Sequence, residues 1–257
     1  MRSTLNRTSK FCLWTLALAL TASIQGCVHK YQPPPPIVLY TNPPLGIKAP
    51  RNTLIGAVFD RNIYSIRVEV VDSKGENIYG KLTVKGYYFF LKPYSPLRPN
   101  EKYTVMISDV RTIESPPLER YTFTFETSDE IDRTPPRIVK ISQLVDVDGF
   151  TKPMPLDMPV YPDGAFSITF SEPMFRRFTL RPGVSIEPEV VESMFIAFDS
   201  TATEACLDVM GLLEDTNYMI KFKEGLFWDL AGNPMPEYSF SFRTGKRKEV
   251  KRDVPPK

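Results

Sequence analysis

The side chains best suited to chemistry are scarce in this chain. It has three cysteines, Cys12, Cys27 and Cys206, and one histidine, His29. A Ser-His or Cys-His system needs a histidine held beside its nucleophile. His29 stands two residues after Cys27, just before Pro33-Pro34-Pro35-Pro36, where a mobile tether is expected. A histidine zinc site lacks ligands, and there is no glycine-rich phosphate loop. Carboxylates remain. Asp229-Leu230-Ala231-Gly232-Asn233 has the composition of a cation loop. The same residues make a tight turn, in which Gly232-Asn233 supplies positive φ and Asp229 bonds the local backbone, and the turn is the expected use. Asp146-Val147-Asp148-Gly149 lacks the third ligand and distal Glu of an EF-type calcium loop. Glu172 could meet Asp199 or Asp208 in space. No catalytic residue, cofactor-binding residue or metal ligand is therefore expected, and the chain is read as a non-enzyme.

The elements that would position these groups read as β-strands. In Glu204-Ala205-Cys206-Leu207-Asp208-Val209 the apolar residues alternate, which puts Cys206 on the polar face of a regular strand. A free thiol there could be reactive, and a packed, inert one is the expected reading. Tyr121-Thr122-Phe123-Thr124-Phe125-Glu126-Thr127 is echoed by Tyr238-Ser239-Phe240-Ser241-Phe242-Arg243-Thr244. Leu97 to Tyr103 is echoed by Leu212 to Tyr218, and Ile55/Ala57/Phe59 by Phe166/Ile168/Phe170. The offsets are 117, 115 and 111 residues, in order. That is duplication of a unit the size of an immunoglobulin-like sandwich, about 100 residues. Short alternating strands between turn residues support a sandwich, and 25 prolines disfavour long helices. Tyr103 and Tyr218 each follow a turn as a tyrosine corner would, with Asp215-Thr216-Asn217-Tyr218 the better fit.

The N-terminal segment has a basic start (Arg2, Arg7, Lys10), an apolar run from Phe11 to Ala22 and Gly26 before Cys27. This is the plan of a secretory signal, and the run is too short for a spanning helix of about 20 residues. Ile24-Gln25-Gly26-Cys27 resembles the lipobox of bacterial lipoproteins, although Gln25 is an uncommon choice. The resemblance implies cleavage before Cys27, a diacylglycerol thioether on its sulfur and an acylated amino group. Two or more chains anchor stably, at about 0.8 kcal/mol per buried CH₂. Val28 after the cysteine implies the outer membrane. Without residues 1–26, whose three charges are all basic, the body has 29 basic against 30 acidic residues. That balance argues against nucleic acid as a partner.

Residues 135–245 resemble a bacterial Ig-like domain of the type repeated in S-layer and other envelope proteins. The motifs are Thr134-Pro135-Pro136, Phe170-Ser171-Glu172-Pro173-Met174, Leu212 to Tyr218, Asp229 to Pro234, and Phe240 to Gly245. Residues 37–128 are a weaker copy, with Phe59-Asp60-Arg61-Asn62 in place of Phe-Ser-Glu-Pro and no Gly-Asn turn. The family implies a spacer, display module or adhesive unit without catalytic residues.

The expected fold class is all-β, with two tandem Ig-like β-sandwich domains behind a cleaved lipoprotein signal peptide and a proline-rich tether. The divisions are 1–26 signal peptide, 27–36 lipidated tether, 37–130 divergent domain 1, 131–245 domain 2 and 246–257 basic tail. Ser128 to Pro136 should limit bending between the domains, with domain 2 farther from the membrane. The expected function is that of a non-catalytic, lipid-anchored envelope protein. Its partners would be membrane lipid through Cys27 and an envelope protein in a surface or periplasmic assembly. The alternatives are a glycan- or peptidoglycan-binding lipoprotein and an accessory module of a secreted enzyme. Two stretches are binding candidates: the Pro/Met-rich loop Gln143 to Gly164, and Gly86-Tyr87-Tyr88-Phe89-Phe90. One ring set of the latter should face the core, and the other is expected to pack on the neighbouring domain rather than form a glycan platform.

Overall fold

The computed structural model describes residues 33–147, 150–162, 164–177, 183–189 and 193–246. The signal peptide, Cys12, Cys27, His29, Asp148-Gly149 and the tail beyond Lys246 lie outside them. The described residues from Pro35 onward form one compact unit.

Among the described residues, eight strands build the first sandwich: β1 (Val38–Asn42), β2 (Lys48–Ala49), β3 (Ile55–Phe59), β4 (Ser65–Val71), β5 (Gly80–Lys85), β6 (Tyr88–Pro93), β7 (Lys102–Arg111) and β8 (Leu118–Thr127). Another eight, likewise among the described residues, build the second: β9 (Ile138–Val147), β10 (Phe150–Met154), β11 (Ala165–Phe170), β12 (Val184–Glu187), β13 (Ser193–Phe198), β14 (Glu204–Met210), β15 (Asn217–Phe222) and β16 (Tyr238–Arg243). The first has sheets β1-β3-β6-β5 and β2-β8-β7-β4, the second β10-β9-β11-β14-β13 and β12-β15-β16. Without β2 and β10 the two orders coincide, β1-β3-β6-β5 with β9-β11-β14-β13 and β8-β7-β4 with β16-β15-β12. Lettered A to G in chain order, both are A-B-E-D over G-F-C, the seven-strand arrangement of constant-type immunoglobulin domains. The duplication is thus one of topology as well as motif.

Period-two patterning gives each sandwich its core. Ile55, Ala57 and Phe59 of β3 meet Tyr103, Val105 and Ile107 of β7 and Phe123 and Phe125 of β8. Phe166, Ile168 and Phe170 of β11 meet Tyr218, Ile220 and Phe222 of β15 and Phe240 and Phe242 of β16. Burying each large apolar side chain contributes about 1.5–3 kcal/mol.

Both tyrosine corners form, with the same geometry. Arg98 N–H donates to the Tyr103 hydroxyl at 2.8 Å, and Leu213 N–H to the Tyr218 hydroxyl at 2.8 Å. Asn100 and Asp215, each three residues before its tyrosine, take positive φ of 50° and 49°. The last threonine of each repeat closes the corner: Thr127 Oγ1 donates to the Arg98 carbonyl at 2.6 Å, and Thr244 Oγ1 to the Leu213 carbonyl at 2.5 Å.

Gln143 to Met154, the first half of the expected loop, is not an open loop. β9 runs through Val147 and pairs with β10, Gln143 opposite Met154. Pro153 is tolerated because β10 is an edge strand with no further ladder to serve. The chain then turns back, and Gln143 Nε2 donates to the Pro155 carbonyl at 3.0 Å. Proline content had suggested a loop, but edge pairing overrides it.

Candidate functional site: the docked face between the sandwiches

All five residues of β3 are buried, because its two faces serve two different partners. Ile55, Ala57 and Phe59 enter the core of the first sandwich, so Gly56 and Val58 point outward. Register extends this outer face across the sheet. Tyr40 pairs with Val58 and Val58 with Tyr88, while Asn42 pairs with Gly56 and Gly56 with Phe90. Leu54, Val58, Tyr88 and Phe175 form one buried cluster, with Tyr40, Phe90 and Trp228 packed against it.

Two loops of the second sandwich supply the covering residues, one following Phe170-Ser171-Glu172-Pro173-Met174 and the other leading into Asp229 to Pro234. Met174 bridges to Asp229, and Phe175 N–H donates to the Trp228 carbonyl at 2.8 Å, so the loops brace each other. The Phe175 ring meets Tyr88 and Phe90 edge-on at 6.4 and 6.0 Å, and Phe90 meets Trp228 at 6.1 Å. Phe89, between these rings in sequence, faces the first core. The aromatic row is therefore divided as expected, one side to the core and the other to the neighbouring sandwich.

Polar contacts fix this docking in register. The buried Asn42 amide bonds Arg176 twice: its Nδ2 donates to the Arg176 carbonyl at 2.9 Å and its Oδ1 accepts from Arg176 N–H at 3.1 Å. Arg176 Nη2 donates to the Thr41 carbonyl at 2.8 Å, and the guanidinium lies 4.6 Å from the Tyr40 ring centroid. Burial lowers the pKa of Arg176 from its ordinary value. Arg177 lies 4.0 Å from the Trp228 ring centroid and donates to the carbonyls of Gly225 and Leu226. Leu54 N–H donates to the Leu230 carbonyl at 2.6 Å. In the connecting segment, Asn52 and Asp132 exchange two hydrogen bonds of 2.6 and 3.0 Å. Stiffness between the sandwiches thus rests on a docked face as well as on the short proline-containing linker.

A carboxylate cluster sits at this junction. One oxygen from each of Asp132, Glu172 and Asp229 lies within 4.8 Å of the others. Asp229 is fully buried and accepts from Asn233 N–H at 2.8 Å and Nδ2 at 2.7 Å, the local turn bonding expected of it. Burial pushes its pKa up to about 6, against the pull of the Asn233 bonds. Burial, then the hydrogen bond with Asp132, pushes Glu172 up to about 7. Carboxyl groups this close favour sharing a proton, and among the described residues they are the set that comes nearest to a cation site. The acid pairing suggested for Glu172 is corrected. Asp199 instead accepts from Glu204 N–H in its own turn, and Asp208 lies beside Cys206.

Cys206 points away from the core between the buried Leu207 and Ala205 and is half-buried, as the alternation required. Burial, then the Asp208 charge, pushes its thiol up to about 11, which disfavours the thiolate. The residues that sequence reasoning missed are Asn42, Gly56, Asp132, Phe175, Arg176 and Trp228. Phe175-Arg176 directly follows the Phe-Ser-Glu-Pro-Met motif and Trp228 precedes the Asp229 turn, so the motifs pointed to the place but not to its use.

No family model and no curated protein matches the chain. Among solved structures, the N-terminal part of the bacterial S-layer protein SbsC overlaps 92% of this chain and 49% of its own, about half its length, at 12% identity and a TM-score of 0.31. The Dpr2 Ig1-Ig2 structure, in complex with DIP-Theta Ig1-Ig3, overlaps 83% of this chain and 100% of its own at 11% identity and a TM-score of 0.24. Superpositions this loose carry no argument, and the assignment as an all-β, Ig-like sandwich pair rests on the strand order and the tyrosine corners.

Proposed function

We propose that the protein is a non-catalytic, lipid-anchored component of the bacterial cell envelope. Its two sandwiches act together as an interaction or scaffold module. The supporting observation is the docked face. Rings of β6, the Asn42–Arg176 pair and two braced loops are committed to holding one sandwich on the other. A paired body of this kind presents fixed surfaces to a partner at little entropic cost, as preorganised binding requires. The anchor belongs to the same reading, carried by Ile24-Gln25-Gly26-Cys27, with Val28 favouring the outer membrane. Tyr88 and Phe90 are occupied by docking, so the glycan alternative loses the platform it would have had in that row.

Crosslinking of the lipidated protein in intact cells, followed by mass spectrometry, tests the module. A defined envelope protein is the expected product, and lipid-only or random products would overturn the reading. For the anchor, metabolic labelling with a clickable fatty acid should mark the wild type and not Cys27→Ala. Equal labelling of both would refute lipidation at Cys27.

A further inference from the structure

One surface of the first sandwich is unused by the docking. Gly80 opens β5 opposite Pro93 of β6, and the same register puts Tyr79 opposite Tyr94. Tyr94 N–H donates to the Tyr79 carbonyl at 3.1 Å. Glycine is needed here, since a Cβ on Gly80 would stand 2.5 Å from the Lys92 carbonyl oxygen. Two tyrosines are thus set side by side at the end of a hairpin, yet they remain 72% and 75% exposed. They wall a groove of about 360 Å³ whose buried floor is Leu97 and Tyr103 and whose rim includes Asn77, Ser95 and Arg98. That size falls within the roughly 300–1,000 Å³ typical of small-ligand sites.

The fold does not require this groove. In the second copy Gly211 alone joins β14 to the buried Leu212, whereas Tyr94, Ser95 and Pro96 join β6 to the buried Leu97. Charge narrows the ligand class. Arg98 is already paired, at 3.0 Å with Asp72 and 2.7 Å with Glu76, so the rim offers hydrogen bonds without an uncompensated positive charge. A ligand suited to this groove has flat apolar faces, many hydroxyl or amide groups and little charge. A pyranose chain has all three, because its axial C–H bonds present positive hydrogen to the negative face of an aromatic ring.

We propose that Tyr79 and Tyr94 form a carbohydrate subsite. The rings stack on successive sugar faces of a β-linked glycan, and Asn77, Ser95 and Arg98 hydrogen-bond its edge. This goes beyond the scaffold reading and does not depend on it. The test is co-sedimentation of the full chain with purified peptidoglycan sacculi and with insoluble chitin. The wild type should be retained on at least one of them. Tyr79→Ala and Tyr94→Ala should each weaken retention about tenfold, while Tyr94→Phe keeps it. Tyr64→Ala, an exposed tyrosine elsewhere on the same sandwich, should change nothing. Unchanged melting temperatures would show that the variants fold. Absence of retention on both polymers overturns the proposal, as does retention that survives both alanine substitutions. Crosslinking to a protein partner is unaffected by either result, so the two readings fail separately.

Discussion

Gly56 lies directly beneath the ring of Phe175: a Cβ on Gly56 would stand 3.3 Å from Phe175 Cζ and 2.3 Å from the Phe89 carbonyl oxygen. The outer face of β3 is bare at this point, and the neighbouring sandwich fills it. Gly56→Ala should destabilise the protein by about 1–3 kcal/mol through overpacking. Thermal denaturation of the variant checks this, and an unchanged melting temperature would mean that neither the Phe89 carbonyl nor the Phe175 ring stands this close to Gly56.

Phe175→Ala removes the filling side chain from the other partner. A buried Phe→Ala change costs about 3–5 kcal/mol, and here the loss falls on docking more than on either core. The expected result is faster proteolysis within residues 128–136, with each sandwich resisting cleavage. Equal protection in variant and wild type would contradict a docked junction.

The acid cluster gives stability an unusual pH dependence. A carboxyl whose folded pKa exceeds its unfolded value holds its proton more tightly in the folded state, so its contribution is complete below the unfolded value and lost as pH rises through the folded one. For Glu172 the window runs from 4.5 to about 7, and for Asp229 from 3.8 to about 6. Stability should fall between pH 5 and 7.5, by about 1 kcal/mol from Glu172 after allowance for solvent screening. Glu172→Gln should remove most of that slope and raise stability at pH 7.5. Denaturant titrations at both pH values decide it, and a wild-type slope of the opposite sign would count against the shared proton.

Tyr103→Phe and Tyr218→Phe delete equivalent hydroxyls, each accepting one backbone N–H at 2.8 Å. Each leaves a part-buried backbone N–H without its acceptor and should cost about 0.5–1.5 kcal/mol. Urea denaturation should give losses of similar size, since the two corners share one geometry. A marked difference would show that only one of them bears load.

Cys206 should react slowly. A thiol pushed from 9.0 to about 11 has on the order of a hundredfold less thiolate at neutral pH. A chromogenic disulfide reagent should modify the native chain far more slowly than the urea-unfolded one, and equal rates would refute the shielding.

Local pattern determined much of this protein. Alternation sets which face of each strand is buried, so the cores, the outward Cys206 and the division of Tyr88-Phe89-Phe90 were readable from residue order alone. The duplication was readable too, because each copy needs the same corner tyrosine and closing threonine at nearly constant spacing. The β9–β10 hairpin was hidden because an edge strand tolerates prolines that local rules assign to loops.

Only the tertiary structure decided how the two copies meet. Asn42 and Arg176 are 134 residues apart in sequence, and Glu172 finds Asp132 and Asp229 instead of the acids suggested for it. Periodicity tells a side chain which way to point but not which distant surface will cover it. That depends on the shapes of two finished sandwiches, which no local pattern states.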